Sequence, residues 1–297
     1  MTYAVDSFDT LPRLPSWVTS RRAETSETVA FLSGAALSHL HLVVERPDVP
    51  QSLLRERLAL RAAEACVMRS GRSERAGELR DAVGFLQPGD TPGPAGEVYF
   101  NWRRAAERPV SVKTLHRALP TVSREQIAVW LDAGQGDPVG RSSAVLETVL
   151  AETPRAEATA QILADATLAQ ALGWNHLVPL LSARLKRGDL RKRGEDLRLS
   201  CHRSLIATSA EATLLAADLA RRSARLKTVA PKLRAKGAGV ALELFLSRDA
   251  VAPAALTSPG PGADMSDRAA RRFCDRLVEL GVVRELTGRD SFRIYGL

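Results

Sequence analysis

The pattern that most constrains the fold is a basic amphipathic helix at residues 265–281, with the sequence MSDRAARRFCDRLVELG. Ser266 is a favourable N-cap, and the next residue, an aspartate, places negative charge where the helix dipole favours it. At about 100° per residue, one face of this helix is apolar and the opposite face carries arginines. The apolar face consists of Ala270, Phe273, Leu277 and Leu280, with Cys274 at its margin. Gly281 follows where a helix takes a left-handed C-cap, so the pattern predicts a surface helix with one buried face.

Two short β-prone runs, VVREL and SFRIY, follow this helix around a TGRD turn. In the second run Phe292 and Ile294 alternate with Arg293 and Tyr295, as is typical of a half-buried strand. Upstream, GVALELFLSRDAV predicts a first amphipathic helix and APAAL a short second one. This order is that of a winged helix-turn-helix, which we predict over residues 231–297. The segment TSPGPGADM before the third helix is longer than the usual turn between such helices.

A recognition helix needs cations and hydrogen-bond donors on its exposed face, because it holds phosphates and reaches base edges in the major groove. A hairpin tip that carries arginine can touch the DNA backbone or enter a minor groove. The residues predicted to contact double-stranded DNA are Ser266, Arg268, Arg271, Arg272, Arg276, Arg289 and Arg293, with Lys232, Arg234 and Lys236 upstream. We therefore predict a DNA-binding protein, either a transcriptional regulator or a plasmid-associated accessory factor. The alternative is a non-catalytic interaction module whose winged helix packs on its own body or on a partner.

The distribution of charge favours the same end of the chain. The 42 basic residues comprise 36 Arg and 6 Lys, an excess of Arg that is often the mark of a G+C-rich genome. Residues 184–297 contain 23 basic and 13 acidic residues, a net charge of +10, whereas residues 1–183 have a net charge of −2. Codon usage does not readily produce that asymmetry, and a basic C-terminal third is typical of a polyanion-binding end. The densest cluster, between Arg184 and Arg203, is interrupted by acids, so a solvated loop or exposed helix is the alternative to a nucleic-acid arm.

The rest of the chain predicts helices. Aromatic residues make up only 5% of the sequence, and no stretch alternates with period two for long enough to form a sheet. We predict a mainly α protein with an extended N-terminal arm at residues 1–25 and an all-α, multi-helical domain at residues 26–230, followed by the winged helix. Within the helical domain, Ser73 is the expected cap of one helix, and a long helix is expected from Ser204 to Lys227. This domain would form a homodimer or bind a protein partner.

No catalytic or metal-binding motif stands out. The sequence lacks HExxH, GxSxG and CxxC, and His39 and His41 are only two residues apart, whereas metal-binding pairs on a helix prefer three or four. The acids Asp132, Glu147 and Asp165 could serve a dispersed nuclease site, but nothing in their spacing gathers them. We therefore expect a non-enzyme without cofactor or metal. An enzyme with a dispersed site in the helical domain remains the third hypothesis.

Targeting signals are not evident. The N-terminus, MTYAVDSFDTLPRLPSW, has no basic region followed by an apolar run, so we expect no signal peptide. No stretch approaches the roughly 18 apolar residues of a transmembrane helix, and we expect no membrane span. The cysteines Cys66, Cys201 and Cys274 are far apart and indicate neither a disulfide framework nor a zinc site. A cytoplasmic location is expected.

Several segments carry a resemblance to a known family. They are AFLSGAALSHL, LRERLALRAAEA, LRDAVGFLQPGDTPGPAGEVYFNWRR, LADATLAQALGW, VAPKLRAKGAG and MSDRAARRFCDRLVELGVVRELTGRDSFRIYGL. They resemble an uncharacterised bacterial family associated mainly with rhizobia and related alphaproteobacteria, domain-of-unknown-function family 1403. The resemblance runs from about Ala30 to Leu297, which implies a full-length member. It implies no activity, cofactor or catalytic residue for this chain.

Overall fold

The computed structural model describes residues 11, 13–20, 25–86, 89–257, 263–289 and 291–297. The protein is mainly α-helical, which confirms the predicted fold class. The α-helices are α1 (Ser16–Ser20), α2 (Ser26–Val44), α3 (Gln51–Arg69), α4 (Ala76–Gly84), α5 (Gly93–Glu107), α6 (Val112–Ala118), α7 (Arg124–Leu131), α8 (Pro138–Glu152), α9 (Glu157–Ala171), α10 (Gly194–Val229), α11 (Ala238–Ser247) and α12 (Asp267–Glu279). Short 3-10 helices lie at Asp189–Arg191, Ala230–Lys232 and Pro253–Leu256. The strands are β1 (Arg284–Glu285) and β2 (Tyr295–Gly296).

Several helices begin where the sequence supplies a side-chain cap. The hydroxyls of Ser111 and Ser123 each accept a hydrogen bond from a backbone N–H three residues further on, at the starts of α6 and α7. The Asp137 carboxylate accepts from the N–H groups of Val139 and Gly140 at the start of α8. These caps satisfy backbone donors that a helix N-terminus leaves without a partner.

Two helix starts differ from the predicted ones. Helix α4 takes Arg75 as its N-cap rather than Ser73, because the Glu78 carboxylate accepts from the Arg75 backbone N–H at 2.8 Å. Helix α10 begins at Gly194, well before the predicted Ser204. The first residues of α10 belong to the charged cluster for which a nucleic-acid arm, a solvated loop and an exposed helix were the alternatives, and two of them are acids in the first turn of the helix, where negative charge is favourable.

The chain divides into two compact units. Of the described residues, those within Leu14–Leu42 and Arg55–Ala212 form the body unit, and residues 11 and 13 with those within Val43–Leu54 and Thr213–Leu297 form the C-terminal unit. Helix α10 runs from Gly194 to Val229 and so has residues in both units. The domain boundary near residue 231 stays a prediction.

The core of the body unit is built around α9. Ten consecutive residues of this helix, from Ala160 to Ala169, are buried, so it is covered on all sides. Helix α8 packs against it, and the Ser142 hydroxyl donates to the backbone oxygen of Ala164 at 2.7 Å across the contact. Trp102 of α5 is fully buried in the same unit. A helix that is buried all round is typical of a core position, and α9 takes it although Gln161, Asp165 and Thr167 are among its buried residues.

An irregular segment between α9 and α10 is held in place by two polar side chains. The Asp165 carboxylate accepts hydrogen bonds from the backbone N–H groups of Leu180 at 3.0 Å and Leu181 at 3.2 Å. Arg69 donates to the backbone oxygens of Ser182 at 2.7 Å and Leu185 at 3.1 Å. Burial raises the pKa of Asp165 to about 8, against the effect of its two backbone hydrogen bonds.

In the C-terminal unit a two-stranded antiparallel sheet follows α12. Arg284 pairs with Gly296 and Glu285 with Tyr295, and Val251 bridges the other side of Tyr295. The second run of the hairpin is therefore paired with β1 on one edge and bridged by Val251 on the other. APAAL, expected as a short second helix, forms the 3-10 helix Pro253–Leu256. Most of the long TSPGPGADM segment, residues 258–262, lies outside the described residues.

The predicted alternation in SFRIY is wrong. Phe292 has 74% of its surface exposed and a positive φ of 55°, whereas both Ile294 and Tyr295 are buried. Tyr295 exchanges backbone hydrogen bonds with Val251 at 2.8 and 2.9 Å, and Leu286 donates to the Ile294 oxygen at 2.9 Å. Successive side chains of an extended chain point to opposite sides, so the burial of both Ile294 and Tyr295 shows that both sides of this run are covered, and the half-buried pattern does not apply.

The predicted arm at residues 1–25 is only partly described. Where the structure describes it, residues 16–20 form α1 rather than an extended chain, and Trp17 stacks on Phe31 with ring centroids 5.8 Å apart. Residues 1–10, 12 and 21–24 lie outside the described residues. In the described part of the chain, α2 is long and apolar enough to cross a membrane by length and composition, which the sequence analysis did not expect. A buried core helix passes the same test, and Val29, Ala36 and Leu40 of α2 are fully buried.

Candidate nucleic-acid interface

Helix α12 forms as its sequence pattern predicts. The Ser266 hydroxyl accepts a hydrogen bond from the Ala269 N–H at 3.3 Å, so this side chain is engaged in capping. The buried residues of α12 are Ala270, Phe273, Cys274 and Leu277. Cys274 is completely buried rather than marginal, and burial raises the pKa of its thiol to about 12. Anchoring one face in this way leaves the arginine face of α12 exposed.

A basic cleft of about 350 Å³ lies along the exposed face of α12, and we call it the C-terminal cleft. Arg268, Arg272 and Arg276 line one side of it, and they are spaced by four residues, which stacks them on one helix face. Lys232 and Arg234, which precede α11, line it as well. No Asp or Glu is among the residues that line the cleft. The C-terminal cleft thus brings together six of the ten residues predicted to contact DNA. They are the five cations named above and the N-cap residue Ser266.

The segment that carries Lys232 and Arg234 is held close to the start of α12 by a glycine. Gly237 has a φ of 81°, and a Cβ at this position would lie 1.9 Å from the backbone oxygen of Ala263. Only glycine can adopt this conformation and this approach without strain. The sequence shows a glycine in a hinge-like stretch, but it does not show which segment the glycine approaches.

The arginines of α12 differ in their partners. Arg271 pairs with Asp267 at 2.9 Å and Arg276 with Glu279 at 2.9 Å, both on the exposed surface. Within the described ranges, Arg268 and Arg272 have no ion pair. Two cleft cations are therefore available to an anion without breaking an existing contact.

The remaining predicted contacts lie outside the C-terminal cleft. Lys236 and Arg289 are exposed, and neither lines it. Arg293, also exposed, donates from Nε to the Arg289 backbone oxygen at 3.0 Å and is hydrogen-bonded to Tyr295, so it braces the hairpin. Arg271 is next to the cleft arginines in sequence, but its guanidinium group forms an ion pair with the Asp267 carboxylate.

The hairpin loop is organised by Glu285. Its carboxylate accepts from the backbone N–H groups of Thr287 and Gly288, each at 2.7 Å, and from the Thr287 hydroxyl. Burial alone would raise the pKa of Glu285, but these hydrogen bonds and the charge of Arg293 outweigh it and lower the pKa. Phe292, a residue that the strand interpretation had placed on a buried face, is exposed in the same hairpin.

Two of the acids considered for catalysis have structural partners. Glu147 accepts from the Gly194 N–H at 2.8 Å, and Asp165 serves the backbone of the irregular segment. Ser33 and His202 form a buried pair with Oγ and Nδ1 2.6 Å apart. The Ser33 hydroxyl donates to the Ala30 oxygen at 3.0 Å, so the histidine Nδ1–H donates to Ser33. A serine in that arrangement is not activated by the histidine.

In the ranges that the structure describes, no group of three or more His, Cys, Asp or Glu side chains is placed to hold a metal ion. The three cysteines are all free and buried. Neither the cysteines nor the histidines come together as ligands in those ranges.

Comparison with known proteins identifies the family of the chain. No curated protein matches it. A family model described as "Protein of unknown function (DUF1403)" matches residues 2–297, close to the whole sequence. That span includes both units and the basic helix α12. The chain belongs to the DUF1403 family.

Proposed function

We propose that the C-terminal unit binds double-stranded DNA through a winged helix, with α12 as its recognition helix. The observation that carries this proposal is the C-terminal cleft, whose lining residues include five cations and no Asp or Glu. Phosphate groups are bound by such a surface, because lysine and arginine replace the counterions of the duplex. The order of α11, the Val251 bridge, the 3-10 helix, α12 and the hairpin supports the winged-helix assignment.

The proposal gives separate roles to the two sides of the cleft. Arg268 and Arg272 have no ion pair in the described ranges, and their planar guanidinium groups suit bidentate contacts to guanine or phosphate. Lys232 and Arg234 precede the helix and suit the phosphate backbone. At the hairpin, the exposed Phe292 is the kind of apolar side chain that minor-groove proteins place against base steps.

In the cell, this activity would belong to a cytoplasmic transcriptional regulator or plasmid-associated accessory factor. The body unit would then serve self-association or capture of a protein partner. DNA affinity in such proteins depends steeply on salt, because bound counterions are released when the complex forms. Salt dependence therefore provides the experimental test.

The test measures fluorescence anisotropy of labelled random-sequence duplex DNA with the full chain across a salt series. Each phosphate contact contributes about 0.9 to the slope of log K against log salt. The double variant Arg268→Gln/Arg272→Gln should therefore lose about 1.8 from that slope and bind more weakly. The control is Arg248→Gln, which changes one exposed charge in the same unit outside the cleft and should leave the slope unchanged.

Each outcome has a definite meaning. Equal slopes for the double variant and the wild type would exclude the C-terminal cleft as the DNA interface. Absence of binding at low salt would exclude DNA binding itself and favour the interaction module. In that case the same double variant should change self-association or stability, measured by sedimentation and urea unfolding.

A further inference from the structure

A second basic cleft, of about 720 Å³, lies within the body unit, and we call it the body cleft. Its cationic lining consists of Arg69, Arg155, Arg187, Arg191 and Arg193, and Glu157 is the one acid among the lining residues. These arginines come from the end of α3, the turn before α9 and the irregular segment before α10. No sequence motif joins them.

Two of the five arginines build the walls of the body cleft. Arg69 donates from Nη2 to the Gln161 side-chain oxygen at 2.8 Å and to the Ser182 hydroxyl at 2.9 Å, besides its two backbone contacts. Its Nε is buried and has no hydrogen-bond partner. Arg193 donates from Nη1 to the backbone oxygen of Lys192 at 2.9 Å. The walls are therefore held by hydrogen bonds that do not neutralise the arginine charge.

The other three arginines, Arg155, Arg187 and Arg191, are exposed, and none has an ion pair within the described part of the chain. Like charges gathered around one cavity repel each other, and an anion in the cavity relieves that repulsion. The N-terminus of helix α9, at Glu157, adds positive potential to the cleft. Its N-cap residue, Ala156, supplies no side-chain acceptor for the backbone N–H groups there. The charge in this cleft thus points to an anionic ligand.

The cavity also has an apolar side, formed by Val98, Leu150, Pro154 and Leu190. A volume of about 720 Å³ falls within the range of sites that enclose small organic molecules. A bare inorganic anion would leave this apolar surface uncovered. A ligand with both a multiply charged end and an organic part would contact both sides.

We propose that the body cleft binds a small organic phosphate that carries more than one negative charge. Arg155, Arg187 and Arg191 contact the phosphate groups, and the apolar side contacts the organic part. Arginine is suited to this role because its planar donors match phosphate oxygens in pairs. The site is separate from the C-terminal cleft in residues and in unit, so it stands or falls independently of DNA binding.

The test is isothermal titration calorimetry of the full chain with inorganic pyrophosphate, ATP and adenosine as probes. We expect ATP to bind more tightly than pyrophosphate, because it adds contact with the apolar side, and adenosine to bind weakly or not at all. The double variant Arg187→Gln/Arg191→Gln should bind ATP at least about tenfold more weakly, since a hydrogen bond to a charged group contributes a factor of that size. Both positions are exposed, so the substitutions leave the core intact.

Two control variants make the result specific. Arg203→Gln removes an exposed charge from the same basic segment outside the cleft, and Arg268→Gln/Arg272→Gln alters the C-terminal cleft. Both should retain the wild-type affinity for ATP. The proposal is overturned if pyrophosphate and ATP both fail to bind, if the cleft variant binds ATP as the wild type does, or if either control loses affinity to the same extent.

Discussion

The two basic clefts have similar lining but are built in different ways. In the C-terminal cleft, Arg268, Arg272 and Arg276 come from one helix at a spacing of four, so the sequence pattern alone brings them together. In the body cleft, arginines from α3, from the turn before α9 and from residues 187–193 meet only in the folded chain. A charged surface on one regular element can be found from periodicity, whereas a cavity assembled from several segments cannot.

The contacts that hold the lining segments in place also differ between the two clefts. The C-terminal cleft depends on a backbone contact, the close approach of Gly237 to Ala263. The irregular segment of the body cleft depends on buried polar side chains, Asp165 and Arg69, that hold a long connection to the core. Disturbing a buried anchor should therefore cost more stability than disturbing the surface helix.

The largest expected effect concerns Asp165 and pH. Its folded-state pKa of about 8 is raised above the ordinary value, so its contribution to stability is fully present at low pH and is lost as pH rises toward 8. The free energy of unfolding should fall by up to about 5 kcal/mol between pH 4 and pH 8, and by up to about 4 kcal/mol between pH 5 and pH 8. Asp165→Asn should remove this part of the pH dependence, measured by urea unfolding at pH 5 and pH 8.

Asp132 provides the matched control for this prediction, because it is an acid on the surface of the same unit. Asp132→Asn should keep the wild-type dependence of stability on pH. If Asp165→Asn shows the same dependence as the wild type, the carboxyl is not held neutral by burial, and the anchor works in its charged form.

The next effect concerns Gly237. In Gly237→Ala the new methyl group would meet the Ala263 oxygen, and the backbone would hold alanine at a positive φ. We expect a loss of about 2–4 kcal/mol in the free energy of unfolding, together with weaker DNA binding. Guanidinium unfolding and the anisotropy assay measure the two quantities.

Gly239 offers a control two residues away. It lies in α11, and an added Cβ would meet nothing within 4 Å. Gly239→Ala should therefore stabilise the protein slightly, by about 0.5 kcal/mol. A loss of stability in both variants would show that this segment tolerates no added side chain, and that the approach to Ala263 is not the particular cause.

The smallest effect concerns the exposed arginines of α12. Arg271→Gln removes the surface ion pair with Asp267 and should cost about 0.4 kcal/mol or less. Arg272→Gln removes no ion pair within the described ranges and should leave stability unchanged. Unfolding in urea at low and high salt measures both, and a clear loss in Arg272→Gln would reveal a partner for this residue.

Several features of the fold could be predicted because they depend on neighbours in sequence. The N-cap at Ser266 and the faces of α12 follow from spacing along one helix, as does the mainly helical class. Predictions were less successful where a contact with a distant segment of the chain decides whether a residue is buried. Tyr295 is buried in a strand whose second edge is bridged by Val251, and nothing in SFRIY indicates that contact.

The sequence by itself determined the mainly helical class, membership of the DUF1403 family and the basic face of α12. These depend on residue type and spacing, which act over a few turns of chain. Only the tertiary structure decided that Lys232 and Arg234 join that face, that Asp165 anchors a backbone segment, and that arginines far apart in sequence surround one cavity. Contacts between distant segments depend on how apolar faces pack, and periodicity along one element does not encode which faces meet.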